Sequence, residues 1–227
     1  CSICPKGRYQ GANDQAHASC DDCQDGSETR SSSGYVVSAA SQCTACSAGR
    51  FQLNDDECAN CADGSDTRNA ASAGDFVNGT GATHCSACAL GLFQTGNDEC
   101  LNCPDGSDTR NASNLYVSTG ATGCTACVDG QFQSPGSDAQ CADVGNGKQG
   151  QTVVTVGGAH AATAALYEVV CENGRYNEDG SGACQDTPDG QQGQSDVGVG
   201  GTYVATGAAF AVDCANSKFN TNGTGAC

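Results

Sequence analysis

Methionine and tryptophan are absent from the 227 residues, and the aromatics amount to six tyrosines and six phenylalanines. With so few large side chains, the chain cannot build the one or two ordinary hydrophobic cores that its length would otherwise allow. Basic residues are scarce as well: nine Lys and Arg stand against 26 Asp and Glu, a net charge of −17. That balance argues against nucleic acid and anionic membrane surfaces as partners, because both are recognised by positive charge. No apolar run approaches the roughly 18–20 residues of a membrane-crossing helix, so direct membrane insertion is not expected. Helix signals are weak throughout a chain with 32 glycines. Only AHAATAALYEVV (159–170) fits a helix, and it fits a strand equally well. There is no signal peptide and no initiator methionine, and the first residue is Cys1, the pattern of a mature or excised segment of a secreted precursor.

What the chain has in quantity is cysteine, 19 residues, above the roughly 8% that marks a secreted disulfide scaffold. The expected location is therefore extracellular or at the cell surface. The cysteines are periodic. Cys4, Cys46, Cys88, Cys127, Cys171 and Cys214 recur roughly forty residues apart, each followed closely by an aromatic (Tyr9, Phe51, Phe93, Phe132, Tyr176, Phe219). Gly7, Gly49, Gly91, Gly130 and Gly174 hold one fixed offset, a column that breaks in the sixth unit, near Asn216. Each unit reads C-x2-G-x-[FY], a polar loop, C-x2-C, DGSxTR, a β-like stretch and the next C-x2-C. The chain divides into the end of a preceding unit (1–3), repeat 1 (4–45), repeat 2 (46–87), repeat 3 (88–126), the cysteine-depleted repeats 4 (127–170) and 5 (171–213), and a partial repeat 6 (214–227). The fold class expected is a small disulfide-rich repeat array: elongated, of short β-strands and irregular loops, with little or no helix. The strands are expected in YVVSAAS (35–41), DFVNGTGAT (75–83), LYVSTGAT (115–122), TVVTVGG (152–158) and TYVATGAAFAV (202–212).

Depletion in the tail sorts the cysteines. By alignment, one outer cysteine becomes Val144 and Thr187, and the other becomes Glu168 and Ala211. Six pairs survive in every repeat: Cys4/Cys20, Cys46/Cys58, Cys88/Cys100, Cys127/Cys141, Cys171/Cys184 and Cys214/Cys227. A pair that persists when its neighbours vanish must bond within itself. The outer cysteines admit two schemes. The sequential one joins Cys23 to Cys43, Cys61 to Cys85 and Cys103 to Cys124, leaving Cys1 for a partner upstream. The nested one joins Cys1 to Cys23, Cys43 to Cys61 and Cys85 to Cys103, leaving Cys124 unpaired. The sequential scheme is preferred, since Cys1 then bonds within a longer array. Closing loops of about 11–23 residues contributes roughly 3 kcal/mol per bridge, which a small repeat needs. In repeats 4 and 5, packing of the apolar stretches VVTV, ALYEVV and YVATGAAFAV is expected to replace the lost bridges.

Four chemistries bear on these residue types. C-x2-C-x11-C-x2-C has zinc-site spacing, but repeats 5 and 6 keep two cysteines and no nearby histidine, so no metal is expected there. Calcium has weak candidates in Asp25, Asp63 and Asp105, with Glu28, Asp66 and Asp108 and the acidic loops 54–57 and 97–99 near them. Asp-Gly is standard turn chemistry, however, and is the preferred reading. Arg30, Arg68 and Arg110 are placed to pair with that turn aspartate. No cofactor is expected, calcium being the only one considered. Sequons at Asn78, Asn111 and Asn222 would carry glycan in a secreted chain. Enzyme chemistry is not expected: His17, His84 and His160 fall at unrelated places and read as solvated loop residues.

The C-x2-C-x2-G-x-[FY]-xn-C units at Cys43–Cys58, Cys85–Cys100 and Cys124–Cys141 resemble ephrin-receptor-like and TNF-receptor-like cysteine-rich repeats. The C-x2-C punctuation of an acidic, Ala/Thr/Gly-rich chain is also similar to ciliate immobilisation surface antigens. The resemblance implies an extracellular, elongated, mostly irregular or β array. In TNF-receptor-like modules the cysteine before C-x2-C bonds its first cysteine, which implies the sequential scheme here. A third bridge is missing and the repeats beyond Cys141 are depleted, departures that count against receptor-type ligand binding. The function expected is that of an extracellular structural repeat protein, glycosylated and self-associating into a surface coat or filament. The alternative is an adhesion or receptor ectodomain, whose binding patch, or else a subunit interface, would lie in 152–170 and 202–212.

Overall fold

The computed structural model describes residues 3–11, 19–52, 54, 57–71, 75–96, 99–137, 140–199, 201–215 and 218–227. Among these there is no helix; the chain consists of short antiparallel ladders joined by turns and held by nine disulfides. The protein is a small disulfide-rich repeat array. Two compact units are delimited, residues 1–102 with 109–123, and residues 103–108 with 124–227.

Each repeat opens on a turn. In Pro5–Arg8 the amide of Arg8 bonds the carbonyl of Pro5 at 3.2 Å, and Gly7 takes a φ of 76° that an L side chain resists. The chain leaves this turn as a two-residue strand carrying the aromatic, and a short ladder follows: Arg8–Tyr9 with Asp21–Asp22, Arg50–Phe51 with Ala59–Asn60, Leu92–Phe93 with Leu101–Asn102, Gln131–Phe132 with Ala142–Asp143, and Arg175–Tyr176 with Gln185–Asp186. The inner disulfide ties the start of each repeat to the residue just before the second strand of this ladder. These bridges are Cys4–Cys20, Cys46–Cys58, Cys88–Cys100, Cys127–Cys141 and Cys171–Cys184, with Cys214–Cys227 in the partial repeat.

A second, longer ladder follows the second turn. Ser27–Ser31 pairs with Gln42–Ala45, Ser65–Arg68 with His84–Ala87, Lys148–Gln151 with Tyr167–Val170, and Gln191–Gln194 with Phe210–Asp213. Ser107–Arg110 and Gly123–Ala126 are the matching strands of repeat 3. The SETRS and SDTR strands are thus the motif that the sequence suggests as a turn alone: the Asp-Gly pair turns, and the next four or five residues extend. The stretches expected to be strands are so only in part: Tyr35 lies in the strand Gly34–Tyr35 and residues 210–212 in Phe210–Asp213, while Phe76 and Ala82 form isolated bridges. Residues 152–158 form bends and turns, and 115–122 contributes two isolated bridges, at Tyr116 and Ala121. The segment 159–170 is not helical; its last four residues form the strand Tyr167–Val170.

The interior is small. It holds the inner disulfides, a column of alanines (Ala40, Ala82, Ala121, Ala165 and Ala208, none above 4% exposed) and a series of buried polar side chains. Each alanine forms a parallel bridge to the aromatic of its repeat, Tyr9, Phe51, Phe93, Phe132 or Tyr176. The inner bridges are not equivalent in burial. Cys58, Cys100, Cys141 and Cys184 are buried, but Cys20, which closes the first of them, is half-buried. The outer bridges are Cys23–Cys43, Cys61–Cys85 and Cys103–Cys124, the sequential order. In repeat 4 their place is taken by buried Val144 and by Glu168, and in repeat 5 by buried Thr187 and Ala211. The expected compensation by apolar packing is only partly present. Ala165 and Val169, and Ala208, Ala209 and Val212, are buried, whereas Val153, Val154 and Val156 are 55%, 72% and 53% exposed. The VVTV segment contributes nothing to the interior because it is a surface loop with no strand partner.

Candidate functional site: the contact between successive repeats

The near-identical CQDGSETRS, CADGSDTRN and CPDGSDTRN segments have a use that becomes visible only in three dimensions. Gly26, Gly64, Gly106, Gly147 and Gly190 all have positive φ, between 74° and 82°. Each glycine carbonyl accepts the amide of the first cysteine of the next repeat: Cys46, Cys88, Cys127, Cys171 and Cys214, at 2.8–2.9 Å. Two residues further on, the side chain at position 28, 66, 108, 149 or 192 is buried and accepts the amide of the second cysteine of that same bridge. Glu28 Oε2 accepts from Cys58 at 2.8 Å, Asp66 Oδ2 from Cys100 at 3.5 Å and Asp108 Oδ2 from Cys141 at 3.3 Å. Gln149 Oε1 accepts from Cys184 at 2.7 Å, and Gln192 Oε1 from Cys227 at 2.8 Å. The two aspartates, one methylene shorter than Glu or Gln, make the two longest of these bonds.

Cys20 and Cys227, in the first and last of the bridges, are half-buried, and Gln192 reaches the Cys227 amide.

Backbone proximity adds a third contact. A Cβ on Gly26 would lie 2.2 Å from the carbonyl oxygen of Gly81, one on Gly64 the same distance from that of Gly120, and one on Gly147 the same distance from that of Gly207. The amides of Gly26 and Gly64 bond the carbonyls of Gln52 and Gln94 at 3.1 and 3.2 Å, and those of Gly147 and Gly190 bond Asn177 and Asn220 at 2.7 Å. These acceptors belong to a column of amide side chains that directly follows the aromatic: Gln52, Gln94, Gln133, Asn177 and Asn220, each buried. Gln52 Oε1 reinforces the amide of Gly26 at 3.1 Å, while Asn177 Nδ2 donates to the carbonyl of Gly182 at 3.3 Å. Sequence reasoning stopped the motif at the aromatic; extending it by one residue, to C-x2-G-x-[FY]-[QN], exposes the column.

The buried acid needs a counter-charge. Glu28 Oε1 accepts from Arg30 Nε, and Asp66 Oδ1 from Arg68 Nε, both at 2.6 Å. Arg30 and Arg68 therefore pair with the second acidic residue of the motif. The hydrogen bond and charge of Asp66 raise the Arg68 guanidinium above its ordinary value, against the opposing effect of burial. In repeats 4 and 5 both charges disappear together, and Gln149/Gln151 and Gln192/Gln194 stand in their places. A neutral amide supplies the same acceptor to the next repeat and, through Nε2, donates to a carbonyl of its own, Gly158 at 2.8 Å or Gly201 at 2.9 Å.

Where repeat 4 lacks its outer bridge, Glu168 Oε1 meets Lys148 Nζ at 2.6 Å and Glu168 Oε2 accepts from the amide of Gly145 at 3.2 Å. Partial burial pushes the Glu168 carboxyl up, but the Lys148 hydrogen bond, the Gly145 amide and the Lys148 charge outweigh it and hold the group below the usual carboxylate range. A depressed carboxyl stabilises the fold above its unfolded-state value and loses that contribution as pH falls through the folded one. Glu168→Gln is therefore expected to lower the melting midpoint slightly at neutral pH, and the gap to the wild type should close below the carboxylate range. A pH series of thermal melts checks this, and a gap that does not change with pH would contradict it.

His160 is not a solvated loop residue. Its side chain is 16% exposed and its Nε2 lies 2.8 Å from Asp129 Oδ1, which also accepts from Gly130 and Gly182 at 2.9 and 3.0 Å. Burial works against ionisation of Asp129, but the Gly182 amide, His160 and the Gly130 amide together hold its pKa below the ordinary value. His84 sits in a strand, half-buried, with Thr83 Oγ1 2.8 Å from its Nδ1. Asp25, Asp63 and Asp105 are exposed at the turn tips, apart from the buried acids three residues further on. Among the described residues no group of three or more His, Cys, Asp or Glu could hold a metal ion. Asn78 and Asn222 are exposed, and Asn222 Oδ1 accepts the hydroxyl of Thr224 in its own sequon at 2.6 Å. Asn111 is half-buried, with Oδ1 accepting the amides of Ser113 and Leu115 at 2.9 and 3.0 Å. Cys1, His17 and the loop residues Asp55, Asp56, Asn97 and Asp98 lie outside the described residues, as does Asn216.

These features define a cysteine-rich, disulfide-bonded repeat protein of the secreted type, in which no helix among the described residues is long and apolar enough to cross a membrane. Comparison with family models and with curated proteins returned no match, so the likeness to receptor-type repeats and ciliate surface antigens rests on cysteine spacing alone.

Proposed function

We propose that the chain is a structural segment of an extracellular assembly, a surface coat or fibre-forming subunit that associates with further copies of itself. The observation that carries this reading is the repeated use of one link. Five successive repeats spend their buried Glu, Asp or Gln on the amide of the next repeat's inner bridge. Buried polar residues of a binding or catalytic module are aimed at a pocket; these are aimed at the neighbouring repeat. Nine bridges in 227 residues suit an oxidising exterior. The sequon asparagines Asn78, Asn111 and Asn222 would carry glycans on such a surface. The rival reading, an adhesion or receptor ectodomain, draws on exposed valines in repeats 4 and 5 that the matching loops of the other repeats lack. Negative-stain electron microscopy of the purified protein over a concentration series is expected to show filaments or sheets with the period of the repeats. A uniform population of short separate particles at every concentration would count against the structural reading.

A further inference from the structure

Two loops of repeats 4 and 5 occupy the same place, directly after the Gln149–Gln151 and Gln192–Gln194 strand positions. Their side chains point away from the interior: Val153, Val154 and Val156 in the first, and Val197 and Val199, 71% and 70% exposed, in the second. The matching segments of the earlier repeats, Ser31–Ser33, Asn69–Ser72 and Asn111–Asn114, hold Ser, Asn and Ala and no valine, although Leu115 beside the third is 63% exposed. A loop that exposes valines usually does so by default, for want of structure. The first of these is instead tied down from beneath. Gln151 is wholly buried and, in the amide orientation that satisfies both its ends, donates to the carbonyls of Val153 and Thr155 at 3.0 and 2.9 Å and accepts from Gln149 Nε2 at 2.7 Å. Gly157 at φ 75° and the Gly158 amide on the Thr155 carbonyl at 2.9 Å close the turn. In the second loop Gln192 Nε2 anchors Gly201 as Gln149 anchors Gly158. The valines of the first loop are held in place before any partner arrives, so little of their conformational freedom remains to be lost on association, while Gln194 beneath the second loop makes no matching bond.

We infer that these two loops form a self-association surface whose occupant is a second copy of this chain. The inference rests on the self-associating reading above and names its surface. Two arguments select that occupant. Residues 149–167 and 197–212 contain no Asp, Glu, Lys or Arg, in a chain of net charge −17. Asp196, whose Oδ1 accepts the Gly198 amide at 3.1 Å, and Glu172, whose carboxylate lies beside Gly157, border these stretches, and between them two acidic copies can meet over residues that carry no charge. The area is also sufficient. The five valines expose about 500 Å² per copy, and a two-fold contact burying both sets would cover about 1,000 Å², the size at which specific interfaces begin. An exposed apolar area of about 500 Å² is the size of the largest patch on a typical monomer, and such patches are often functional.

Sedimentation velocity of the full chain between about 1 and 100 µM, a range chosen to bracket a micromolar dissociation constant, tests this. The variants are V154D/V197D, the near-isosteric V154T/V197T and, as a surface control in repeat 1, V37D. The wild type should associate, and V154D/V197D should weaken association at least about tenfold. V154T/V197T should shift it in the same direction and V37D leave it unchanged, all at a common melting midpoint. If V154D/V197D does not fold, V154T/V197T carries the test. Wild type and both double variants associating alike would overturn the valine surface while leaving self-association standing. A wild type that stays monomeric throughout would overturn both.

Discussion

Alanine at Gly64 is expected to cost roughly 3–5 kcal/mol of stability, while the same change at Gly136 should cost only about 1 kcal/mol. Both glycines sit in turns with left-handed dihedrals, φ 78° and 70°. The backbone therefore penalises an L side chain similarly at both. What differs is the neighbour. A Cβ at Gly64 falls 2.2 Å from the carbonyl oxygen of Gly120, whereas at Gly136 nothing lies within 4 Å. The obstructing atom is backbone, so it cannot swing away as a flexible side chain would. Relief requires repeat 2 to draw back from repeat 3, which breaks the Gly64 amide from the Gln94 carbonyl at 3.2 Å and strains the Gly64 carbonyl bond to Cys88 at 2.8 Å. Chemical denaturation gives the two costs, and amide exchange at Cys88 and Cys100 shows whether the junction is what opens. Equal costs at the two sites would mean that the close approach contributes nothing and that only the turn matters.

The inner cysteine pairs were legible in the sequence because their persistence in the depleted repeats needs no three-dimensional information. What the pairing did not reveal is that Cys20 and Cys58 sit in different surroundings, since the residue that covers Cys58 comes from the repeat before it. The DGSxTR motif was legible as a repeat and as a turn, but not as a connector. Its acid acts on an amide 30–35 residues away, an offset that no local pattern encodes. A strand was expected in 152–158 and none in the SDTR segments for a related reason. Apolar β-branched runs such as TVVTVGG have strand propensity, yet propensity yields to the availability of a partner. The polar SDTR segments have one, because a disulfide and the ladder bonds fix them against HCSA with little apolar burial. In a fold this poor in large side chains, hydrophobic pattern is a weak guide, and the buried Gln and Asn column was passed over because amides are not expected inside.

A double-mutant cycle on Glu28 and Arg30 should show strong coupling. Glu28 is 3% exposed and divides its two oxygens between Arg30 Nε at 2.6 Å and the Cys58 amide of the next repeat at 2.8 Å. Arg30→Gln leaves a buried carboxylate facing one neutral donor, and its expected cost is about 3 kcal/mol. Glu28→Gln keeps the acceptor toward Cys58 and strands only an arginine whose side chain is 39% exposed and open to hydration, so about 1 kcal/mol is expected. The double variant should cost little more than Glu28→Gln alone, because it recreates the neutral pair that Gln149 and Gln151 already form. The side chain length is right, since Glu28 and Gln192 reach their cysteine amides at the same 2.8 Å. The outer bridge Cys23–Cys43 stays in place, so the cycle separates the charge pair from the disulfide with which it disappears along the chain. Additivity within about 0.5 kcal/mol would mean that the two residues act independently. Coupling of about 2 kcal/mol or more would mean that one junction is built in two chemically distinct versions, charged and bridged in repeats 1 to 3, neutral and unbridged in repeats 4 and 5.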